Sequence, residues 1–489
     1  MRRTNRPVTV VALLLALFMA ALEMTVVSTA MPTVVGELGG LERYSWVFTA
    51  YLLTATLTLP IYGKLADLYG RKPILLFGLL LFLAGSVASG QAQSIEQLIC
   101  FRALQGLGAG AMQPVTMTIV GDLFDVQQRA RMQGLFGSVW GAAGIAGPIA
   151  GGYIVTHWSW RWVFYVNVPV GIVCVMVLAF AYHESLERRR RPFDVLGVVL
   201  LSAALLLLLW VSELGLAGLH YLPLAFGLLV WLVFVERRAP EPMLPLPLFQ
   251  RRIMWVGSLL GLLLGGAMLA VVTYVPLKVQ ALLGGSPEQA GRAVAPMLVG
   301  WPLASAVSGR LLGRLGYRPL VLAGVSLIAL VSGAMAVLSG RLLTVLELGV
   351  MTGAFGVGMG LFNTVVIIAV QSSVSWEERG VATASLLFSR TIGGALVVGV
   401  VGGVLTRRLA SVEGLPPGAA DALLGPTHGH GLAPNVLQQL SGALGAGLQI
   451  AFWLVAALAA LAWGIGLLFP RVKLDPSGPA PVDQRQAPA

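Results

Sequence analysis

The chain has 489 residues, of which 57% are hydrophobic and 11% are charged, and its 60 glycines come on top of the hydrophobic share. Soluble globular proteins carry about 25% charged residues, so we expect an integral membrane protein with no soluble domain. The formal net charge of +11 does not indicate nucleic-acid binding, because the basic residues lie mostly in short segments between apolar stretches.

Apolar stretches of about 20 residues, the length a helix needs to cross a ~30 Å hydrocarbon core, recur along the chain and predict fourteen spans. They cover residues 8–30, 44–61, 74–92, 98–120, 132–154, 162–182, 195–214, 219–235, 253–275, 290–312, 320–338, 343–370, 381–405 and 444–469. We interpret the first as a retained span and not as a cleaved signal, because Glu23 interrupts it and further spans follow. The predicted fold class is an all-α integral membrane protein.

The basic residues also predict an orientation. Of the 32 Lys and Arg residues, 23 fall in segments on the side of the N-terminus and seven on the other side. Because basic residues concentrate in cytoplasmic loops, we expect both termini in the cytoplasm. The longest connection, residues 406–442, then lies outside. Its His428 and His430 are two ligands on a flexible loop, which do not make a metal site.

An internal repeat divides the chain. Residues 63–73 read GKLADLYGRKP and residues 309–319 read GRLLGRLGYRP, which aligns two glycines, a leucine and a proline. The repeat predicts a six-span half over 1–183, a cytoplasmic linker with a two-span insert over 184–252, and a second six-span half over 253–470. Residues 471–489 are rich in proline and are expected to be a disordered tail. Repeated halves with a site between them are what alternating access requires.

Four motifs resemble those of the major facilitator superfamily. The segment GKLADLYGRK is similar to the signature loop of that superfamily. LEMTVV at 22–27, RALQGLG at 102–108 and GIAGPIAGG at 144–152 are similar to motifs of its fourteen-helix drug:proton antiporter branch, the EmrB/QacA type. The resemblance covers essentially the whole chain. It implies two six-helix halves plus a two-helix insert in a bacterial inner membrane, and export of lipophilic small molecules driven by protons without a cofactor. That branch usually has Asp where this chain has Glu23.

Glu23 is the predicted proton-coupling residue. It lies about 22 Å along the first span, at 1.5 Å per residue, where an ionisable group costs roughly 2.5–3.5 kcal/mol. Burial favours a protonated carboxyl and a nearby cation favours the carboxylate, so proton occupancy can follow the conformation. The resemblance implies that Arg102 is that cation. The alternatives are a Glu23 that only packs against a helix and an Arg102 whose head reaches the outer interface.

The segment after the second span predicts a cytoplasmic gate. Asp67 can accept hydrogen bonds from a helix N-terminus or pair with a basic residue of a later cytoplasmic segment. The resemblance implies that this cluster locks the inner side and releases it during transport. Its predicted members are Gly63, Asp67, Gly70, Arg71, Lys72, Arg129 and Arg131. The alternative, anchoring by positive charge, explains the bases and not the acid.

Small residues form a stripe in the fifth span. Spacings of three and four residues place Gly137, Gly141, Gly144, Pro148 and Gly151 on one helical face, which predicts close helix packing and a bend at the proline. By resemblance, the antiporter motif comprises Gly144, Gly147, Pro148, Gly151 and Gly152.

Candidate polar contacts in a cavity between the halves are Glu23, Thr25, Gln113, Asn167 and Asn363. Arg390 receives no role, and its expected partners are Asn363 or backbone carbonyls.

The sequence thus predicts a monomeric, proton-coupled exporter of hydrophobic or amphipathic compounds that is not an enzyme. A carrier of a lipid or a native metabolite fits the same motifs. A membrane-embedded enzyme would need an acidic or histidine cluster in a large loop, and the largest loop has only Glu413 and Asp421. A channel would need polar rings in a symmetric oligomer. The repeated glycines at 106–110 and 356–360 lie in apolar spans and lack the strand–turn–helix context of a nucleotide site.

Overall fold

The computed structural model describes most of the chain. The described residues are 4–124, 126–184, 194–214, 218, 220–238, 246–341, 343–374, 379–412 and 433–471. Within these ranges the regular secondary structure is helical, and each of the fourteen apolar stretches coincides with helix over most of its length. The prediction of an all-α protein is therefore confirmed for the described residues.

The helices of the first part are α1 Arg6–Leu38, α2 Tyr44–Tyr69, α3 Arg71–Gly90, α4 Ile95–Leu123, α5 Val126–His157, α6 Trp162–Tyr165 and α7 Asn167–Ala181, with a 3₁₀ turn at Leu41–Arg43. Two further apolar helices follow, α8 Val195–Leu214 and α9 Leu222–Glu236, and then the short α10 Leu246–Phe249. The last part holds α11 Arg252–Leu282, α12 Pro287–Leu315, α13 Tyr317–Leu338, α14 Val345–Ser373, α15 Arg379–Ala410 and α16 Pro434–Gly466.

Ten helices among the described residues are long and apolar enough to cross a membrane. Two shorter apolar segments, Leu196–Leu208 and Leu222–Glu236, lie in α8 and α9. The chain is therefore a multi-pass membrane protein, and a total of fourteen spans stays a prediction.

The same helix pairings occur in the first and last parts of the chain. The pairs α1–α5, α2–α4 and α3–α4 have counterparts in α11–α15, α12–α14 and α13–α14. Glycines allow the close crossings: a Cβ on Gly106 would lie 3.0 Å from the carbonyl carbon of Tyr51, and one on Gly356 would lie 2.8 Å from Cα of Met297. Both repeated-glycine segments therefore serve helix packing.

We call α1–α7 the first bundle and α11–α16 the second bundle. They meet through the contacts α5–α12 and α2–α15, and α8 packs beside the contact between α2 and α15. On the face opposite the N-terminus, the Tyr44 hydroxyl donates to the Thr273 carbonyl at 3.0 Å and the Gln280 amide donates to the Thr29 carbonyl at 3.0 Å. Toward the N-terminal face, three glycines of α2 and α12 have open surroundings. An added Cβ on Gly63, Gly309 or Gly313 would meet no described heavy atom within 4 Å. The bundles are closed at the opposite face.

Helix ends differ from the predicted boundaries in three places. The connection predicted over 406–442 is shorter, because α15 continues to Ala410 and α16 already begins at Pro434; a proline is compatible with the first turn of a helix. The sixth stretch is divided into α6 and α7. Asp67 lies in the last turn of α2 and not beyond its end. The predicted tail falls almost entirely outside the described residues.

Candidate functional site

Glu23 and Arg102 form a buried ion pair in the first bundle. Nη1 of Arg102, on α4, contacts Oε1 of Glu23, on α1, and both side chains are at most 1% exposed. The burial of Arg102 excludes the alternative in which its head reaches the outer interface in this conformation. The structure thus brings together the two residues of the predicted coupling pair.

Polar groups from α2, α3 and α7 complete this site. Asn167, at the start of α7, donates from Nδ2 to the second oxygen of Glu23 at 2.6 Å and to Oγ of Ser86 at 3.2 Å. Arg102 donates to Oε1 of Gln105 at 2.7 Å and to the Val47 carbonyl at 3.3 Å. Each carboxylate oxygen of Glu23 therefore has a donor, which is how a charge is tolerated away from water.

Local backbone features position these groups. Gly85 brings α3 against α4, because a Cβ there would lie 2.5 Å from Cα of Gln105. Asn167, the first residue of α7, contacts Glu23 of α1 and Ser86 of α3. The guanidinium carbon of Arg102 lies 4.2 Å from the centre of the Tyr51 ring, an arrangement in which the ring face attracts the cation. The site is therefore closely packed where α3 and the Tyr51 ring contact α4.

The predicted cavity residues do not all lie together. Glu23 and Asn167 lie inside the first bundle, where they bind each other. Thr25 donates to the carbonyls of Leu22 at 3.0 Å and Ala143 at 3.3 Å, and so joins α1 to α5. Gln113 on α4 and Asn363 on α14 are half-buried at positions outside this site.

The predicted antiporter motif lies where α5 contacts both α1 and α12. Gly147 abuts Thr25, and a Cβ on Gly151 would lie 2.8 Å from the Val26 carbonyl oxygen of α1. On the α12 side, a Cβ on Gly144 would lie 3.0 Å from Cβ of Leu298, and one on Gly152 would lie 2.7 Å from Cα of Glu288. Pro148 packs against Gly291 of α12. The prediction of close packing is confirmed, and α5 connects Glu23's helix to the second bundle.

The predicted gate contains an acid that the sequence reasoning missed. Glu184, just after α7, accepts hydrogen bonds from the backbone amides of Arg71 at 2.7 Å and Lys72 at 3.1 Å. The Lys72 ammonium donates to the Ala179 and Tyr182 carbonyls, at 2.6 Å each. The only available signal was an acid placed directly after an apolar span. Gly70 has a φ of +102° at this junction, a backbone geometry that favours glycine.

Of the other predicted gate residues, the structure describes mainly the backbone. The backbone of Asp67, Arg129 and Arg131 is helical, but their side chains lie outside the described part, so the predicted pairing between them stays a prediction. Gly63 lies in open surroundings near the end of α2. Among the described residues no group of three His, Cys, Asp or Glu could hold a metal ion, and His428 and His430 lie outside them.

Arg390 does not have its expected partners. Its guanidinium carbon lies 5.8 Å from the centre of the Trp301 ring on α12, and within the described structure no hydrogen bond joins it to Asn363 or to a backbone carbonyl. The prediction was wrong because the arginine side chain extends from α15 toward α12, whereas Asn363 lies on α14.

Comparison with known proteins identifies the family. Residues 13–398 match the model of the Major Facilitator Superfamily. The chain is 37% identical over 426 residues to the multidrug transporter protein MdtP of Bacillus subtilis (strain 168), covering 83% of this chain and 76% of that protein. It is 35% identical over 410 residues to multidrug resistance protein 3 of the same organism, covering 81% and 79%.

A solved structure supports the fold. A bacterial homologue of the human lysosomal transporter Spinster, in an inward-facing and unoccupied conformation, matches with a TM-score of 0.70 at 15% identity, over 98% of this chain and 100% of that chain. Such a low identity shows the fold alone. The family match over residues 13–398 and the transporter relatives show that the chain belongs to the major facilitator superfamily and is a membrane transporter, not an enzyme.

Proposed function

We propose that the protein is a proton-coupled antiporter that exports hydrophobic or amphipathic compounds by alternating access. In this proposal fourteen spans form two six-helix halves and a two-helix insert, as in the EmrB/QacA-type branch. Both termini are in the cytoplasm of a bacterial cell, and one chain is the working unit. The closed opposite face then corresponds to a conformation that is open to the cytoplasm.

The buried Glu23–Arg102 pair is the observation that carries the proposal. A proton on Glu23 cancels its charge and leaves the guanidinium without a counter-ion, so the preferred arrangement of α1 and α4 depends on proton occupancy. A membrane potential of ~100 mV contributes about 2.3 kcal/mol per inward proton. At one proton per molecule, this sustains about a fifty-fold gradient of an uncharged substrate.

A continuous set of contacts links this pair to the interface between the halves. Thr25 lies two residues after Glu23 on α1 and rests on Gly147 of α5. The other face of α5 rests on α12 through the contact of Gly144 with Leu298. A shift of α1 that follows protonation must therefore displace α5, and through it the second half.

The substrate class follows from two observations. The names of the relatives describe a multidrug transporter and a multidrug resistance protein. Glu23 is occupied by Arg102 and Asn167, so in this conformation it offers no free negative charge for a cationic drug. The proposed substrates are therefore selected by apolar surface and not by attraction to Glu23.

Everted membrane vesicles test the proposal. Respiration acidifies their interior, and an acridine dye reports the pH gradient while a panel of fluorescent lipophilic compounds is added. We expect some compounds to accumulate in the vesicles and to dissipate the gradient only where the protein is present. Accumulation that persists after an uncoupler collapses the gradient would contradict proton coupling. Translocation of labelled lipids without accumulation of any compound would contradict the substrate class.

A further inference from the structure

Arg390 is a cation in the interior of the second half. It lies eleven residues after the first residue of α15, about 16 Å along the helix at 1.5 Å per residue. Its side chain passes over Gly265 of α11, where an added Cβ would lie 2.6 Å from Cγ of Arg390. Gly265 therefore makes room for the arginine, which extends to the Trp301 ring of α12 at 5.8 Å.

Neither of the two acids of the second half that the structure describes is placed to neutralise this cation. Between residues 253 and 470 the acidic residues are Glu288, Glu347, Glu377, Glu378, Glu413 and Asp421. Glu288 and Glu347 lie in the first turns of α12 and α14, and the other four fall outside the described residues. In the part of the chain that the structure describes, the guanidinium of Arg390 contacts the Trp301 ring. It forms neither a hydrogen bond nor an ion pair there.

The contrast with Arg102 shows what Arg390 lacks. Arg102 is fully buried and is matched by Glu23, so that pair is neutral as a whole. Arg390 is half-buried, so part of its surface stays accessible. Trp301 is also half-buried, and its neighbour Pro302 contacts Gly141 of α5, since a Cβ there would lie 2.7 Å from the proline ring. The arginine and the tryptophan therefore lie at the level where the two halves meet.

This arrangement has the chemistry of an anion site. A guanidinium binds a carboxylate through two parallel hydrogen bonds, and an unpaired charge in the membrane interior is costly, so a bound anion would relieve that cost. The indole ring beside it offers an apolar, planar surface. Resting on the proposed export function, we propose that Arg390 and Trp301 form a subsite for amphipathic carboxylates, with the carboxylate on Arg390 and an apolar ring system against Trp301.

Binding in lipid nanodiscs, without any gradient, tests the subsite. The probes are rhodamine B and its ethyl ester, which share one ring system and differ by the free carboxylate, and fluorescence polarisation reports their affinities. We expect Arg390→Gln to weaken rhodamine B binding at least tenfold, about 1.4 kcal/mol, and to change ester binding by less than about twofold. Arg390→Lys should recover part of the loss, because it restores the charge but not the paired donors.

The matched control is Arg407→Gln, which removes an exposed arginine from the same helix and should leave both affinities unchanged. Three results would overturn the subsite: no preference of the wild-type protein for the free acid, equal losses for both dyes in Arg390→Gln, or no loss for either. The absence of proton-driven dye accumulation in wild-type vesicles would instead contradict the proposed function. The two failures are distinguishable because the nanodisc assay needs no proton gradient.

Discussion

Replacing Arg102 by methionine removes the counter-ion of Glu23 and keeps a long apolar side chain. The two side chains are at most 1% exposed, so water cannot replace the lost guanidinium. Removing one partner of a buried ion pair typically costs about 3–5 kcal/mol, because an uncompensated charge remains. We therefore expect Arg102→Met to be strongly destabilised at neutral pH, and we expect the further change Glu23→Gln to recover part of that loss.

The assay is thermal unfolding of the purified protein in detergent, followed by intrinsic tryptophan fluorescence, for both single variants and the double variant. A double-mutant cycle isolates the interaction between the two sites. The control is Arg43→Met, because the Arg43–Glu96 pair has side chains that are 46% and 57% exposed and exposed pairs contribute only about 0–1 kcal/mol. An Arg102→Met variant no less stable than Arg43→Met, or additive single and double variants, would refute the reasoning.

Three further changes test the gate and the closed face. Glu184→Gln replaces one of two accepting oxygens with an amide donor, so it removes one hydrogen bond from a backbone amide and weakens the other. It should lower the unfolding temperature; an unchanged temperature would show that these bonds do not stabilise the fold. Asp67→Asn should slow transport while dye binding persists, and loss of binding at normal expression would count against a gating role. Gly152→Leu introduces a side chain against Glu288 and should abolish transport at normal expression, whereas Gly333→Leu, at a site with no described atom within 4 Å of an added Cβ, should be tolerated; equal transport by both variants would contradict the contact.

The charges inside apolar spans were the strongest signal in the sequence. Glu23 and Arg102 stand out because a membrane helix rarely carries a charge without a role, and the structure pairs them. The sequence could not show that Asn167 completes the pair, since an amide within an apolar span reveals its polarity but not its neighbour. For the same reason Asn167 was predicted to face a cavity, whereas it lies inside the first bundle with Glu23.

The other features that could not be predicted from the sequence, the role of Glu184 and the position of Arg390, depend on contacts between distant segments. Glu184 lies 113 positions from Arg71, and no periodicity relates an acid after one helix to amides at the start of another. Arg390 was visible as a charge, but its position beside Trp301 depends on the crossing of α11 and α15 at Gly265. The fold itself could be predicted, because helices are what apolar stretches of this length form in lipid.

The most direct test of the central claim is to measure proton-driven transport in everted vesicles. The Glu23→Gln variant is compared with the wild-type protein at equal expression. Glutamine keeps the size of the side chain and one accepting oxygen, and it cannot release a proton. We predict that the variant inserts normally and binds substrate, but neither accumulates it in response to a pH gradient nor dissipates that gradient. Wild-type rates of gradient-driven accumulation in Glu23→Gln would contradict the claim that this carboxyl carries the coupled proton.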